Sequence, residues 1–385
     1  MTNENKPVIV AAFRTPQARK NGYFSEVRGE DLSVAIINHT LEKTGVDPKR
    51  VDDLLWGCAM QREEQDNNVA RIIALMSALG EKTAASTINR WCASSLQAIM
   101  SASDSIAAGQ RDCIIAGGVE HMTRVSMEEK TAYENFHPEF VKNYNLFELH
   151  MGMTAESVAS KYNISRRDQD EYALRSHQKA IAAHENGHYK DEIVPIHVGE
   201  NVRDVDEGMR KDTSMEKLSK LSPVFRSDGT VTAGNSSQIS DGAAVTMVTS
   251  AEFAEENGLE ILASIENHAV AGVDPKLMGI GPIYSTKKML ARTGGDISDF
   301  GLVEMNEAFA SQCIHCQREL KISEKVFNLK GGAIAMGHPL GATGARLPVT
   351  LIHEMKRQNI ERGLVTMCVG LGQGASMSFS RQGLN

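Results

Sequence analysis

Short apolar runs alternate along the chain with stretches whose apolar positions recur every three or four residues. Val8-Ile-Val-Ala-Ala12 reads as a buried strand. Between Glu30 and Lys43, residues Leu32, Ala35, Ile36 and Leu41 share one helix face, and Gly45 stands where a helix should end. Leu54-Leu-Trp-Gly-Cys58 reads as the next strand, followed by a helix over about 68–79 and a third strand at Ser86-Thr-Ile-Asn-Arg90. Leu96, Ile99, Met100, Ser103, Ile106 and Ala107 then mark a helix closed by Gly109, and Cys113-Ile-Ile-Ala-Gly117 is a fourth strand. Strands alternating with amphipathic helices predict an α/β layered fold.

The same order of elements returns near the C-terminus. Thr44-Gly-Val-Asp47 can be laid on Thr293-Gly-Gly-Asp296, an offset of 249 residues, and the same offset sets Cys92 on Gly341 and Arg111-Asp-Cys113 on Ile360-Glu-Arg362. This predicts a duplication. Its first half spans 1–119, completed by 242–258, and its second half spans 259–385. Between them, 120–241 breaks the rhythm with charge, His, Tyr and Asn, and reads as an insertion lying over a site that the halves make. A peripheral solvated subdomain is the plainer alternative.

Composition narrows the function. In 385 residues, 41 Lys and Arg face 49 Asp and Glu, a net charge of −8 with no basic stripe, so a nucleic-acid partner is not expected. No apolar run approaches the ~18 residues of a spanning helix. The start, Met1-Thr-Asn-Glu-Asn-Lys-Pro7, lacks the layout of a signal peptide, and the chain does not end in Ser-Lys-Leu; a bacterial cytoplasm is the expected location. Six cysteines in a chain of this length do not form a disulfide scaffold.

Three segments carry candidate chemistry. Cys92 stands where a β-rich run meets a helix, and the positive end of a helix favours a thiolate. His338 lies in Gly331-Gly-Ala-Ile-Ala-Met-Gly-His-Pro-Leu-Gly-Ala-Thr-Gly344, where glycines let backbone pack close. Cys368 precedes another glycine-rich turn, Val369-Gly-Leu-Gly-Gln-Gly374. For both cysteines a buried core thiol is the alternative. Gly370, Gly372 and Gly374 have the look of a dinucleotide loop, but no helix and acidic residue follow at the required distance. Cys313-Ile-His-Cys316 lacks a second ligand pair for zinc.

Taken together, Ile88-Asn-Arg-Trp-Cys-Ala-Ser-Ser95, residues 328–344 and residues 363–376 resemble the three signature segments of the thiolase family. Asn306-Glu-Ala-Phe309 and Thr230-Val-Thr-Ala-Gly-Asn-Ser-Ser-Gln-Ile-Ser-Asp-Gly-Ala243 match as well. Trp56-Gly-Cys-Ala59, Gly117-Gly-Val-Glu-His-Met122 and Phe136-His-Pro138 are most similar to degradative 3-ketoacyl-CoA thiolases, in particular to the β-subunits of bacterial fatty-acid oxidation complexes. The resemblance implies two βαβαβαββ halves in a five-layer αβαβα arrangement, with the insertion as a CoA-binding loop domain.

It also implies roles. Cys92 would attack the ketone and hold the acyl chain, His338 would take the thiol proton, and Cys368 would be the second acid and base. His338 with a water on Asn306 would form one oxyanion site, and the amides of Cys92 and Gly370 a second. Arg210, Phe225, Ala233 and Ser237 match positions lining CoA. His150, Met151, Met278 and Phe309 match walls of the pantetheine and acyl pocket. Coenzyme A would be a substrate, with no resident metal or redox cofactor. The likeness further implies a homodimer and a hydratase/dehydrogenase α-subunit as partner in an α2β2 complex. Trp91 departs from the smaller aliphatic residue usual there, which bears on acyl preference. A biosynthetic acetoacetyl-CoA thiolase, a decarboxylating ketosynthase and a non-catalytic scaffold subunit are the rival readings. The Cys92, His338 and Cys368 set argues against the last two.

Overall fold

The computed structural model describes residues 5–127 and 136–382. The outermost residues of the segments read as 1–119 and 259–385, and residues 128–135 of the insertion, lie outside the described residues. The first half runs β1 (Pro7–Arg14), β2 (Ala18–Arg19), α1 (Gly29–Thr44), β3 (Asp53–Gly57), α2 (Val69–Met76), β4 (Ala84–Ile88), α3 (Ser94–Ala107) and β5 (Cys113–His121). The insertion adds α4 (Pro138–Asn143), α5 (Met151–Lys161), α6 (Arg166–Glu185), the hairpin β6 (Ile196–Val198) and β7 (Asn201–Arg203), and α7 (Met215–Ser219). Then follow β8 (Ser240–Ser250), α8 (Ala251–Glu256), β9 (Ala263–Gly272), α9 (Gly281–Thr293), β10 (Leu302–Met305), α10 (Ala310–Leu320), α11 (Ala333–Met336), α12 (Leu340–Gln358), β11 (Arg362–Val369) and β12 (Gln373–Ser380).

The large sheet has the order β10-β11-β12-β9-β1-β8-β5-β3-β4, with β2 beside β8. Its halves are joined where Val8 and Ile9 of β1 pair with Ser264 and Ala263 of β9. On either side of that junction the pattern is the same. β3 pairs in parallel with β4 and β5, β10 pairs in parallel with β11, and an antiparallel strand follows each time. The 249-residue offset carries the start of β3, Asp53, to the start of β10, Leu302, and the start of β5, Cys113, to that of β11, Arg362.

Two departures from the expected pattern have local causes. The second half's counterpart of β4 shrinks to a single parallel bridge between Val303 and Phe327. And β5 does not stop at Gly117 but runs on to His121, because its glycines serve close approach rather than a turn. A Cβ on Gly117 would lie 2.2 Å from Ala244 O and 2.6 Å from the Trp56 ring.

Helices α3 and α12 pack against each other between the two halves of the sheet, while α1 and α2 cover one outer face and α9 and α10 the other. Their contact is backbone on backbone: a Cβ on Gly344 would stand 2.4 Å from Leu96 N, and Ala345 N donates to Ser95 Oγ at 2.8 Å. So the N-terminal ends of both central helices meet. The segments that precede them, carrying Cys92 and His338, are brought to one place.

Candidate active site

Cys92 is set by a tight segment after β4. Asn89 Oδ1 accepts from Trp91 N (2.8 Å), Asn89 Nδ2 donates to Ala59 O (2.9 Å), and Ser94 Oγ donates to Trp91 O (2.6 Å). Trp91 takes a left-handed φ of 45° as the chain turns. The helix starts at Ser94 with Ala93 as its cap, so Cys92 stands just ahead of it and is only 6% exposed. This corrects the expectation of a helix-stabilised thiolate. Burial pushes the thiol up to about 12, while the amides of Gly370 and of Cys92 itself pull the other way. Those amides face the sulfur, where an oxyanion formed by its attack needs donors.

His338 follows Gly337, whose φ of 112° and lack of a Cβ (one would fall 2.1 Å from Ser240 Oγ) make the sharp turn possible. Its amide donates to Ser240 Oγ (3.1 Å). The ring's tautomer follows from its neighbours. Thr343 Oγ1 donates to Pro339 O (2.9 Å), so it accepts from His338 Nδ1–H at 2.7 Å. Nε2 is left bare and accepts from Asn306 Nδ2 at 3.2 Å. Burial, helped by the nearby Arg346 guanidinium, pushes the imidazole down to about 3. At neutral pH it is an unprotonated base.

Cys368 lies near the end of β11, fully buried, and its thiol is pushed up by burial and by the neighbouring Cys92 and Cys316 sulfurs. A neutral thiol is a proton donor in waiting. The hairpin after it turns through Leu371 (φ 60°) and Gly372 (φ 78°) and lays Gly370 against Trp91, where a Cβ would meet the indole Cγ at 3.1 Å. Asn306 is held by its amide on Thr366 O (3.1 Å), and its Oδ1 is buried without a hydrogen bond to a described residue. Cys92 and Cys368 are thus neighbours beside the Gly370 amide, and Asn306 holds the His338 ring. The thiols of Cys313 and Cys316 donate to Asn306 O and Gly279 O.

The model of the thiolase N-terminal domain matches residues 7–252, and that of the thiolase C-terminal domain matches residues 259–381. The chain belongs to the thiolase family. It is 45% identical to the 3-ketoacyl-CoA thiolase of Photobacterium profundum, over 98% of this chain and all of the relative. It is equally identical to the 3-ketoacyl-CoA thiolase of Bacillus subtilis, over 97% of this chain and 98% of that one. The crystal structure of the Bacillus anthracis acetyl-CoA acetyltransferase superposes with a TM-score of 0.90 at 39% identity, covering 97% of this chain and 98% of the other. As a thiolase, the chain is an acyltransferase.

In this thiolase, part of the insertion packs beside Cys368. Met278, Phe309 and Cys368 form one apolar cluster with Ala155, Val231 and Ala308, and Met151 and Phe225 pack on it. The Phe225 ring lies 5.5 Å from His150 and 6.2 Å from Phe309. Five of the eight residues matched to CoA and acyl contacts are thus gathered beside Cys368. Ser237 is tied to the same wall by its amide on Ala308 O (2.9 Å), and exposed Ala233 lies in the adjoining turn. Arg210 is not in this cluster; its amide donates to His177 Nδ1 (3.2 Å).

Sequence reasoning missed Thr343, whose hydroxyl fixes the imidazole; its place in the first turn of the helix that follows His338 was the available signal. It also missed Glu307. That carboxylate accepts from Ser176 Oγ (2.6 Å), Tyr172 OH (3.1 Å) and Ile334 N (3.2 Å), linking α6 to the Asn306 turn and to α11. Among the described residues, no helix is long and apolar enough to cross a membrane.

Proposed function

We propose that the chain is a 3-ketoacyl-CoA thiolase of fatty-acid β-oxidation, cleaving its substrate with CoA to acetyl-CoA and an acyl-CoA two carbons shorter. What supports this most is a neutral imidazole held by Asn306 together with two neighbouring buried thiols, Cys92 and Cys368, both neutral. His338 takes the Cys92 proton as Sγ attacks the C3 carbonyl. As the C2–C3 bond breaks, Cys368 gives its proton to C2, and acetyl-CoA leaves with Cys92 acylated. The Cys368 thiolate then takes the proton of incoming CoA, whose sulfur attacks the thioester. His338 returns its proton to Cys92, so every proton is accounted for. The thiol attack and the thioester attack each build negative charge on an oxygen. Asn306 with His338, and the amides of Cys92 and Gly370, are the donors assigned to these oxygens.

Phe225, Met151, Met278 and Phe309 would line the pantetheine and acyl channel, with His150, Ser237, Ala233 and Arg210 nearer the rest of CoA. CoA is a substrate here, and the chemistry draws on thiols, imidazole and amides alone. The domain reading (1–119 with 242–258, then 120–241, then 259–385) belongs to this proposal, the insertion supplying the CoA wall.

The substrate class is tested by turnover of C4 against C8–C16 3-ketoacyl-CoA. Preference for the longer chains supports the proposal, and confinement to C4 favours the biosynthetic acetoacetyl-CoA reading instead. A homodimer is supported by β4, which ends the sheet with partly exposed residues, and by exposed Leu75 and Met76 on the α2 beside it. Partnership with a hydratase/dehydrogenase α-subunit in a bacterial cytoplasm rests on likeness alone. Co-purification from cells, with the mass of the assembly, tests both.

A further inference from the structure

One buried carboxylate ties the turn at residues 58–60 to the head of α12, the helix that follows His338. Glu120, on β5, is fully buried and accepts from Ala59 N (2.9 Å), Met60 N (3.2 Å), Gln65 Nε2 (2.8 Å) and Gly341 N (2.8 Å). The first three donors belong to the first half; Gly341 is in the opening turn of α12, in the second. A carboxylate at a helix N-terminus completes amides that have no partner within the helix. The approach is so close that a Cβ on Gly341 would stand 2.9 Å from Glu120 Oε2 and 2.5 Å from Val119 O. Burial pushes the carboxyl up, and the hydrogen bonds from Ala59, Gln65, Gly341 and Met60 hold it back.

Each branch reaches a reacting group in short steps. Ala59 O accepts from Asn89 Nδ2 (2.9 Å), and Asn89 Oδ1 accepts from the amide of Trp91 (2.8 Å), the neighbour of Cys92. On the other side, Thr343 sits two residues past Gly341 and accepts from His338 Nδ1 (2.7 Å).

We propose that Glu120 is a positioning residue for the Cys92–His338 pair, fixing the turn at Cys58, Ala59 and Met60 to the head of α12 and so setting the reach of imidazole to sulfur. This rests on the thiolase reading of the two loops. Glu120→Gln keeps the shape but turns one acceptor towards N–H donors as another donor. In the folded variant kcat should fall about 100-fold, the cost of a displacement of roughly 1 Å, with KM for the ketoacyl-CoA nearly unchanged. Alkylation of Cys92 by iodoacetamide, followed against pH, reads the pair without thiolysis. In Glu120→Asp, which keeps the carboxylate charge that raises the Cys92 thiol, the rate near neutral pH should fall about tenfold as the base loses reach.

Should Glu120→Gln fail to fold, Glu120→Asp keeps the charge but is a methylene short of bridging both loops. It should lose about tenfold in kcat at unchanged KM, alongside that fall in alkylation. A folded variant with wild-type kcat overturns the proposal. So does lost activity with an unaltered alkylation profile, the mark of a structural role only. If the wild-type chain performs no thiolysis, the reaction assignment fails, while the alkylation comparison still decides the role of Glu120.

Discussion

At Cys92 two effects compete, and their sizes decide the resting state of the site. A helix end favours a thiolate by roughly 0.3–1 kcal/mol. Burial that lifts the thiol from 9.0 to about 12 disfavours it by something on the order of 4 kcal/mol. Burial wins, and the nucleophile rests as a thiol beside a neutral base. The sequence points to Cys92, His338 and Cys368 because each sits in a glycine-rich or strand-to-helix segment. Their protonation was not legible there, since it is set by burial in the folded core and by groups brought in through folding, such as the Gly370 amide at Cys92.

The imidazole gives a prediction with a definite sign. His338 stays neutral in the fold down to about 3 but binds a proton from 6.5 downward once unfolded. Its burial therefore withdraws stability as pH falls from 6.5 towards 3, by up to about 1.4 kcal/mol per pH unit. In urea titrations at several pH values, His338→Asn should flatten the stability curve across that window. An unchanged slope would mean that the ring is protonated in the fold.

Among elements, the crossing of α3 and α12 is the joint that matters for chemistry. Its glycines were visible in the sequence as a cluster, but their partner was not. Gly344 is a glycine because Leu96 N lies 2.4 Å from where a Cβ would be. Gly344→Ala must push two helix backbones apart, costing about 1–3 kcal/mol, and it moves Thr343 and thus the imidazole. A lower Tm together with a kcat loss at unchanged KM is expected; a loss of Tm alone would separate the joint from the chemistry. Helix and strand periodicity also located most elements of both halves. It fell short in β5, expected over 113–117 but running to His121, and in the second half, where a bridge of Phe327 to Val303 stands in place of a strand.

For the molecule as a whole, the insertion is bound to both halves through a buried ion cluster. Glu192, just past α6, accepts from Arg14 Nε (2.7 Å) on β1, from Lys330 Nζ (3.1 Å) before α11, and from Thr350 Oγ1 (3.1 Å) on α12. Arg14 also holds Asp206 (2.7 Å). Burial alone would raise Glu192, but Lys330 and Arg14 hold it down to about 2. This stabilisation is complete above the ordinary 4.5 and is lost as pH falls from 4.5 towards 2. Glu192→Ala leaves buried cations short of a partner and should cost about 3–5 kcal/mol in chemical unfolding at neutral pH. A cost below about 1 kcal/mol would show that the cluster does not hold the insertion in place. The duplication and the insertion were legible from one repeated offset and a break in rhythm. This cluster was not, because its members are scattered from Arg14 to Thr350.

Carbon–carbon cleavage at Cys92 is the step on which the proposed function rests. The most direct measurement mixes the enzyme with a C8 3-ketoacyl-CoA in the absence of free CoA, then follows acetyl-CoA release and the mass of the intact chain. One equivalent of acetyl-CoA should appear in the first turnover while the chain gains one acyl group, mapped to the peptide containing Cys92, and Cys92→Ser should do neither. A chain that stays unacylated, an acyl group on another residue, or a normal burst from Cys92→Ser would contradict it.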